Sequence, residues 1–242
     1  MRTDRLIALA FVVLVSTAIV GFSAGSTSAS FTASTTNPSQ STATSNVAAP
    51  ASASATSAAA GVVNLSWPAT TTPANGHTVT YLILRNGTQI ASTAALTYSD
   101  TPAADGTYSY TVQTKIAQGA GFFTSGSSPA ASGVSDATAP TAATGITTAK
   151  GTSAGQINLT WTAGTDALSG VAGYTIHRSG VVASCAATNT TNYPNATAVG
   201  AVTSATISGL VSASKYCFYL TTNDNAGNAS ANSAAAGPQA AK

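Results

Sequence analysis

Apolar and polar positions alternate with a period of two along two stretches of this chain, and such alternation predicts half-buried β-strands. Val63-Asn64-Leu65-Ser66-Trp67 is followed by Thr78-Val79-Thr80-Tyr81-Leu82-Ile83-Leu84-Arg85 and by Tyr108-Ser109-Tyr110-Thr111-Val112. About ninety residues later Ile157-Asn158-Leu159-Thr160-Trp161 is followed by Gly173-Tyr174-Thr175-Ile176-His177-Arg178 and by Tyr216-Cys217-Phe218-Tyr219-Leu220. Trp to Tyr spans 14 residues in the first stretch and 13 in the second, and Tyr to Arg spans 4 in both. One small β domain is therefore expected twice. Turn chemistry separates the strands: Asn75-Gly76, Asn86-Gly87 and Asp105-Gly106 in the first copy, Ser208-Gly209 and Asn225-Ala226-Gly227-Asn228 in the second. The second copy has a longer connection from Arg178 to Thr203. Neither copy carries sustained helical periodicity.

The N-terminus follows a different pattern. Arg2 and Arg5 precede an apolar run from Leu6 to Phe22, and Ser23 to Ser30 are small residues, which reads as an export signal over residues 1–29. An uncleaved membrane anchor through residues 6–22 is the competing reading, because the run lies between a signal core and a minimal span in length. Residues 30–47 are rich in Ser, Thr and Ala and are expected to form a disordered linker, since they bury too little apolar surface to offset their ordering entropy. Residues 48–137 and 138–242 then form the two sandwiches, each near the size at which a β domain supports its own core.

Composition narrows the function more than the fold. Charged residues make up 6% of the chain, Glu is absent, and the net charge is +2. The surface is expected to be neutral and hydroxyl-rich, with no basic patch for nucleic acid. Cys185 and Cys217 are the only cysteines, and an even count in an exported chain suggests a bridge, against the alternative of two separate thiols. Tyr216, Phe218 and Leu220 take the core alternates of their strand, so Cys217 is expected on its outer face.

The Trp of the second strand, Tyr-x-Ile-x-Arg on the third and Tyr-x-Phe/Tyr-x-Val/Leu on the sixth resemble the core signature of the fibronectin type III family. Asp166, Ser169-Gly170-Val171 and Asn223-Asp224-Asn225-Ala226-Gly227-Asn228 are similar to its bacterial extracellular members. The resemblance covers roughly residues 48 to 242. It implies an all-β chain of two Greek-key, immunoglobulin-like sandwiches in tandem, behind the signal or anchor and the linker. It also makes Tyr108 and Tyr216 the tyrosines that lock the corner before the sixth strand. Residues 28–37 resemble, over a shorter stretch, the start of secreted bacterial surface and biofilm-matrix precursors.

Candidate chemistry is sparse. Beyond the leader there are five Asp and two His, too few for the carboxylate pair of a glycosidase or for a Ser-His-Asp hydrolase. No catalytic, cofactor or metal site is expected, and His77 and His177 read as exposed polar residues. The resemblance brings the loops of Asp166 and Asp224 to one pole. Asx turn caps are the main reading there, and oxygen ligands for calcium the other. Leu82 and Leu84 alternate to the outer face, as a contact patch, as scattered apolarity, or through a one-place register error. Phe122, Phe123, Tyr193 and Tyr98 are the aromatics left for stacking on a sugar. The Asn-x-Ser/Thr triplets at Asn64, Asn86, Asn158, Asn189, Asn195 and Asn228 follow from composition. The expected role is a non-enzymatic surface or matrix module for adhesion or spacing. An accessory carbohydrate-binding module is the alternative, with an extracellular protein or a glycan as partner.

Overall fold

A computed structural model describes residues 28–31, 45–71, 77–118 and 121–242. Among them every regular element is a β-strand. The apolar run at 6–22 and the Asn75-Gly76 turn lie outside the described residues. Among the described residues no helix is long and apolar enough to cross a membrane.

The first sandwich sets a three-stranded sheet against a larger one. The former contains β3 (Ser54–Ala58), β4 (Val62–Ser66) and β7 (Thr97–Asp100) in the order β3-β4-β7. The latter runs β10-β8-β5-β6, from β5 (Val79–Arg85), β6 (Thr88–Thr93), β8 (Gly106–Gln118) and β10 (Ala131–Ser135), with β9 (Gly121–Ser127) pairing the far end of β8. All pairs are antiparallel. The second sandwich repeats this plan. Its sheets are β11 (Thr144–Lys150), β12 (Ile157–Thr162) and β15 (Ser204–Ile207) in the order β11-β12-β15, and β14-β13-β16-β17. The second of these is built from β13 (Val171–Arg178), β14 (Asn195–Gly200), β16 (Lys215–Asp224) and β17 (Ala236–Ala240). Splitting consecutive strands between sheets in this way is the Greek-key arrangement.

The alternation dictates the cores. Val63, Leu65, Trp67, Tyr81, Ile83, Tyr110 and Val112 fill the first, and Ile157, Leu159, Trp161, Tyr174, Ile176, Phe218 and Leu220 fill the second. Each Trp lies edge-on or tilted to the Tyr of the third strand, with ring centroids 5.7 Å apart for Trp67 and Tyr81 and 5.4 Å for Trp161 and Tyr174. Tyr108 donates to the carbonyl of Ala104 at 2.8 Å, and the Tyr216 hydroxyl accepts from Val211 N at 3.1 Å. Both corners are thus tied by their tyrosine. Asn86 and Gly87 both have positive φ, which a two-residue hairpin turn needs to match the strand twist.

The structure departs from the sequence reading in four places. β1 (Ser28–Phe31) pairs β2 (Ser45–Ala48), so strands occupy both ends of the segment expected to be a disordered linker. Leu82 is 8% exposed, which corrects its assignment to an exposed patch. It lies outside the main core on β5, while the paired strands β1 and β2 pack along β8 and β9. The connection over residues 179–194 lies on the outer face of β16, as the expected Cys185–Cys217 bridge requires, and it buries Tyr193, which the sequence reading left free for stacking. There Cys185 bonds Cys217, with Cα atoms 5.5 Å apart, and Tyr193 and Tyr219 are 1% exposed. Within this second small core His177 stacks on Tyr219 at 4.4 Å, so it is a half-buried ring and not an exposed one.

Candidate functional site at the junction of the sandwiches

β10 ends at Ser135, and the next residue, Asp136, is fully buried between the two sandwiches. Its neighbours bind to both sides. Ala137 N and Thr138 Oγ1 donate to the Asp105 carboxylate of the first sandwich at 2.8 and 2.6 Å, which holds that carboxyl below its usual range. Thr141 N donates to Thr165 O of the second at 2.9 Å, and Thr165 N returns a 2.7 Å bond to Thr141 Oγ1. The connection is therefore pinned at each end.

The second sandwich meets it with two loops. Asp166, after β12, accepts from Leu168 N at 3.1 Å and Gly170 N at 2.7 Å, forming an Asx turn. Asp224, at the end of β16, accepts from Asn228 N and Asn228 Nδ2, both at 2.7 Å, closing the Asn225–Asn228 turn. Gly227 completes that turn at φ +93°, a backbone conformation that favours glycine, and it faces Ala59 of the first sandwich at ordinary contact distance.

Asn228 is the bridge. Its Oδ1 accepts from Ala60 N in the β3–β4 turn at 2.9 Å, while its Nδ2 also donates to Asp136 O at 2.9 Å. The same carbonyl accepts from Gly61 N at 3.1 Å. The Asp136 carboxylate takes Ser169 N from the second sandwich at 3.1 Å and Thr138 N at 3.0 Å. Asp136, Asp166 and Asp224 thereby offer oxygen atoms within 4.8 Å of one another. Three carboxylates are the hard donor set that suits calcium. Among the described residues no basic side chain pairs with any of them, the one ion pair being Arg85 with Asp100. Sequence reasoning placed Asp166 and Asp224 at one pole but missed Asp136, a lone Asp in a Ser/Thr/Ala/Pro string whose only signal was its place between the copies.

The other candidates are scattered. His77 is exposed on a loop. Burial of His177 against Tyr219 holds its pKa below the ordinary value. Tyr193 is buried and Tyr98 is half-buried against the first core, so neither forms an open platform. Phe122 is 61% exposed and carries Lys115 Nζ 4.3 Å over its ring. Arg85 donates twice to Asp100, at 3.1 and 2.9 Å, and the buried Tyr110 hydroxyl adds a 2.8 Å bond to the same carboxylate.

No family model matches the chain. Over 190 residues, 74% of the chain, it is 35% identical to exoglucanase B of Cellulomonas fimi, and the matched stretch is 16% of that protein's length. The FN1-FN3 domains of chicken CNTN1 superpose on 81% of the chain and 67% of their own length at 16% identity, with a TM-score of 0.56. The doubled three-plus-four sheet plan, the paired Trp and Tyr cores and the two tyrosine corners agree with that likeness: the chain has the fold of tandem fibronectin type III sandwiches.

Proposed function

We propose that the chain works outside the cell as a non-catalytic spacer and binding module whose two sandwiches are held at a fixed angle. The observation that carries this reading is the Asn228 bridge, where one side chain bonds Ala60 N, Asp136 O and Asp224. A tether between independent domains needs no such fit, whereas a spacer gains reach from it. The carboxylates at the junction accept bonds from backbone and amide donors, an arrangement suited to holding loops and not to passing protons. Export accords with the Cys185–Cys217 bridge. Backbone 15N relaxation on the exported chain tests the spacer. One anisotropic diffusion tensor fitting both sandwiches is expected, and two independent tensors would remove the idea.

A second reading, an accessory role in polysaccharide degradation, is favoured by the likeness to exoglucanase B. The chain aligns with a small part of that enzyme, which fits a part that accompanies catalysis. Retention of the chain on a glycan tests this reading separately from rigidity.

A further inference from the structure

Building on the accessory reading, we infer that the outer faces of the two three-stranded sheets are contact surfaces for a neutral polysaccharide chain. The two faces carry the same side-chain pattern at matching register. On β4, Asn64 lies opposite Ser99 of β7, and Ser66 lies opposite Ser54 of β3. On β12, Asn158 lies opposite Thr206 of β15, and Thr160 lies opposite Thr147 of β11.

The hydrogen bonds repeat as well. Ser99 Oγ donates to Asn64 Oδ1 at 2.7 Å, and Thr206 Oγ1 donates to Asn158 Oδ1 at 2.8 Å. Ser54 and Ser66 share a 2.7 Å hydroxyl bond, as do Thr147 and Thr160. Each amide is therefore oriented by its oxygen, and among the described residues neither Nδ2 has a protein partner. The result on each face is an outward-pointing amide donor beside a hydroxyl pair, spaced by the strand lattice of about 5 Å across and about 7 Å along. In the first sandwich a shallow depression of about 330 Å³ lies over Asn64 and Ser66.

The chemistry selects the partner. Among the described residues no charged side chain stands at the outward positions of β3, β4, β7, β11, β12 or β15; the exposed Lys150 at the end of β11 is on the opposite alternate, across from the buried Ile157. An anionic or cationic polymer finds no counter-charge there, while the hydroxyls and ring oxygens of a neutral glycan match fixed donors and acceptors. Tyr98, which also lines the depression, packs against the first core, so no outward strand position carries an aromatic ring and each contact is weak by itself. Two faces on one chain add their contributions through effective concentration.

Native affinity electrophoresis of the exported full-length chain tests this, in gels containing neutral hydroxyethylcellulose or anionic carboxymethylcellulose. The chain should be retarded more by the neutral polymer. Asn64→Ala/Asn158→Ala should weaken the retardation at least fivefold. Ser99→Ala/Thr206→Ala, which removes only the orienting hydroxyls, should weaken it less. Phe122→Ala should leave it unchanged, and all variants should keep the parent thermal transition. Retardation that survives the Asn pair, or that is lost with Phe122, overturns the sheet-face assignment and leaves the accessory reading standing. A parent chain that neutral polymer does not retard overturns both and leaves the spacer.

Discussion

Replacing Asn228 with Ala removes three side-chain bonds at once: Ala60 N to Oδ1, Nδ2 to Asp136 O, and Nδ2 to Asp224 Oδ2. The losses are unequal. Asp136 O keeps Gly61 N as a donor, and Ala60 is exposed, so water replaces its partner readily. Asp224 is 3% exposed and retains only the Asn228 backbone N–H, so its second oxygen becomes a buried charge without a donor. Neutral bonds contribute about 0.5–1.5 kcal/mol each and a bond to a charged group about 1.5–3. With partial rehydration of a half-buried site, the expected cost is about 2–4 kcal/mol. The loss should appear as an earlier denaturant midpoint for the second sandwich, and separate relaxation tensors should replace the shared one. Asn225→Ala is the control. Its Nδ2 bonds Ser169 O and Gly170 O within the second sandwich, so it should destabilise that domain without freeing the angle. If Asn228→Ala costs under about 0.5 kcal/mol and leaves the shared tensor intact, the bridge does not hold the junction.

Three further outcomes follow from the same structure. Cys185→Ala/Cys217→Ala opens a link across 32 residues and should destabilise the second sandwich by about 3–4 kcal/mol, read as a midpoint shift that reductant reproduces in the parent chain. Asp100→Ala leaves Arg85 and the buried Tyr110 hydroxyl without their partner. It should cost the first sandwich about 2–4 kcal/mol in thermal or denaturant unfolding, below the figure for a fully buried pair because Arg85 still reaches water. For His177, burial lowers the folded pKa below its ordinary 6.5, so the unfolded chain takes up the proton first. Stability should therefore fall as the pH drops below 6.5. Asp105 titrates at lower pH, so a denaturant midpoint that stays flat across that window, or that falls equally in His177→Phe, removes His177 as the cause.

Much of this architecture was legible because a period of two is a geometric property of strands. Trp67, Tyr81 and Ile83 announced one core, and Trp161, Tyr174 and Ile176 the other, without any knowledge of how the sheets pair. What alternation cannot report is a third layer. Leu82 and Tyr193 read as outward or spare residues, yet both are buried, Tyr193 within the small core that the Cys185–Cys217 bridge closes. That core depends on a contact between segments far apart in sequence. The junction was half legible for a related reason. Asp166 and Asp224 sit in turns with strong local signals, whereas Asp136 gains its meaning only when a neighbouring domain places Ser169 N and Asn228 against it.

The junction also shows how a chain with so few charges can join two domains through neutral hydrogen bonds. An ion-paired interface would need basic partners for Asp136, Asp166 and Asp224, and among the described residues none pairs with them. The second sandwich uses instead the hairpin turn it must form in any case. Asp224 folds the Asn225–Asn228 turn by accepting from Asn228, and that act aims the remaining amide valences at Ala60 N and Asp136 O. Closing the turn and building the docking surface are one event, so little extra ordering entropy is left to the docking step. The bonds that cross to Ala60 and to the Asp136 carbonyl are between neutral groups, and salt screens them far less than it screens ion pairs at an exposed interface. For the proposed extracellular spacer, such bonds keep the junction's geometry across changing ionic conditions.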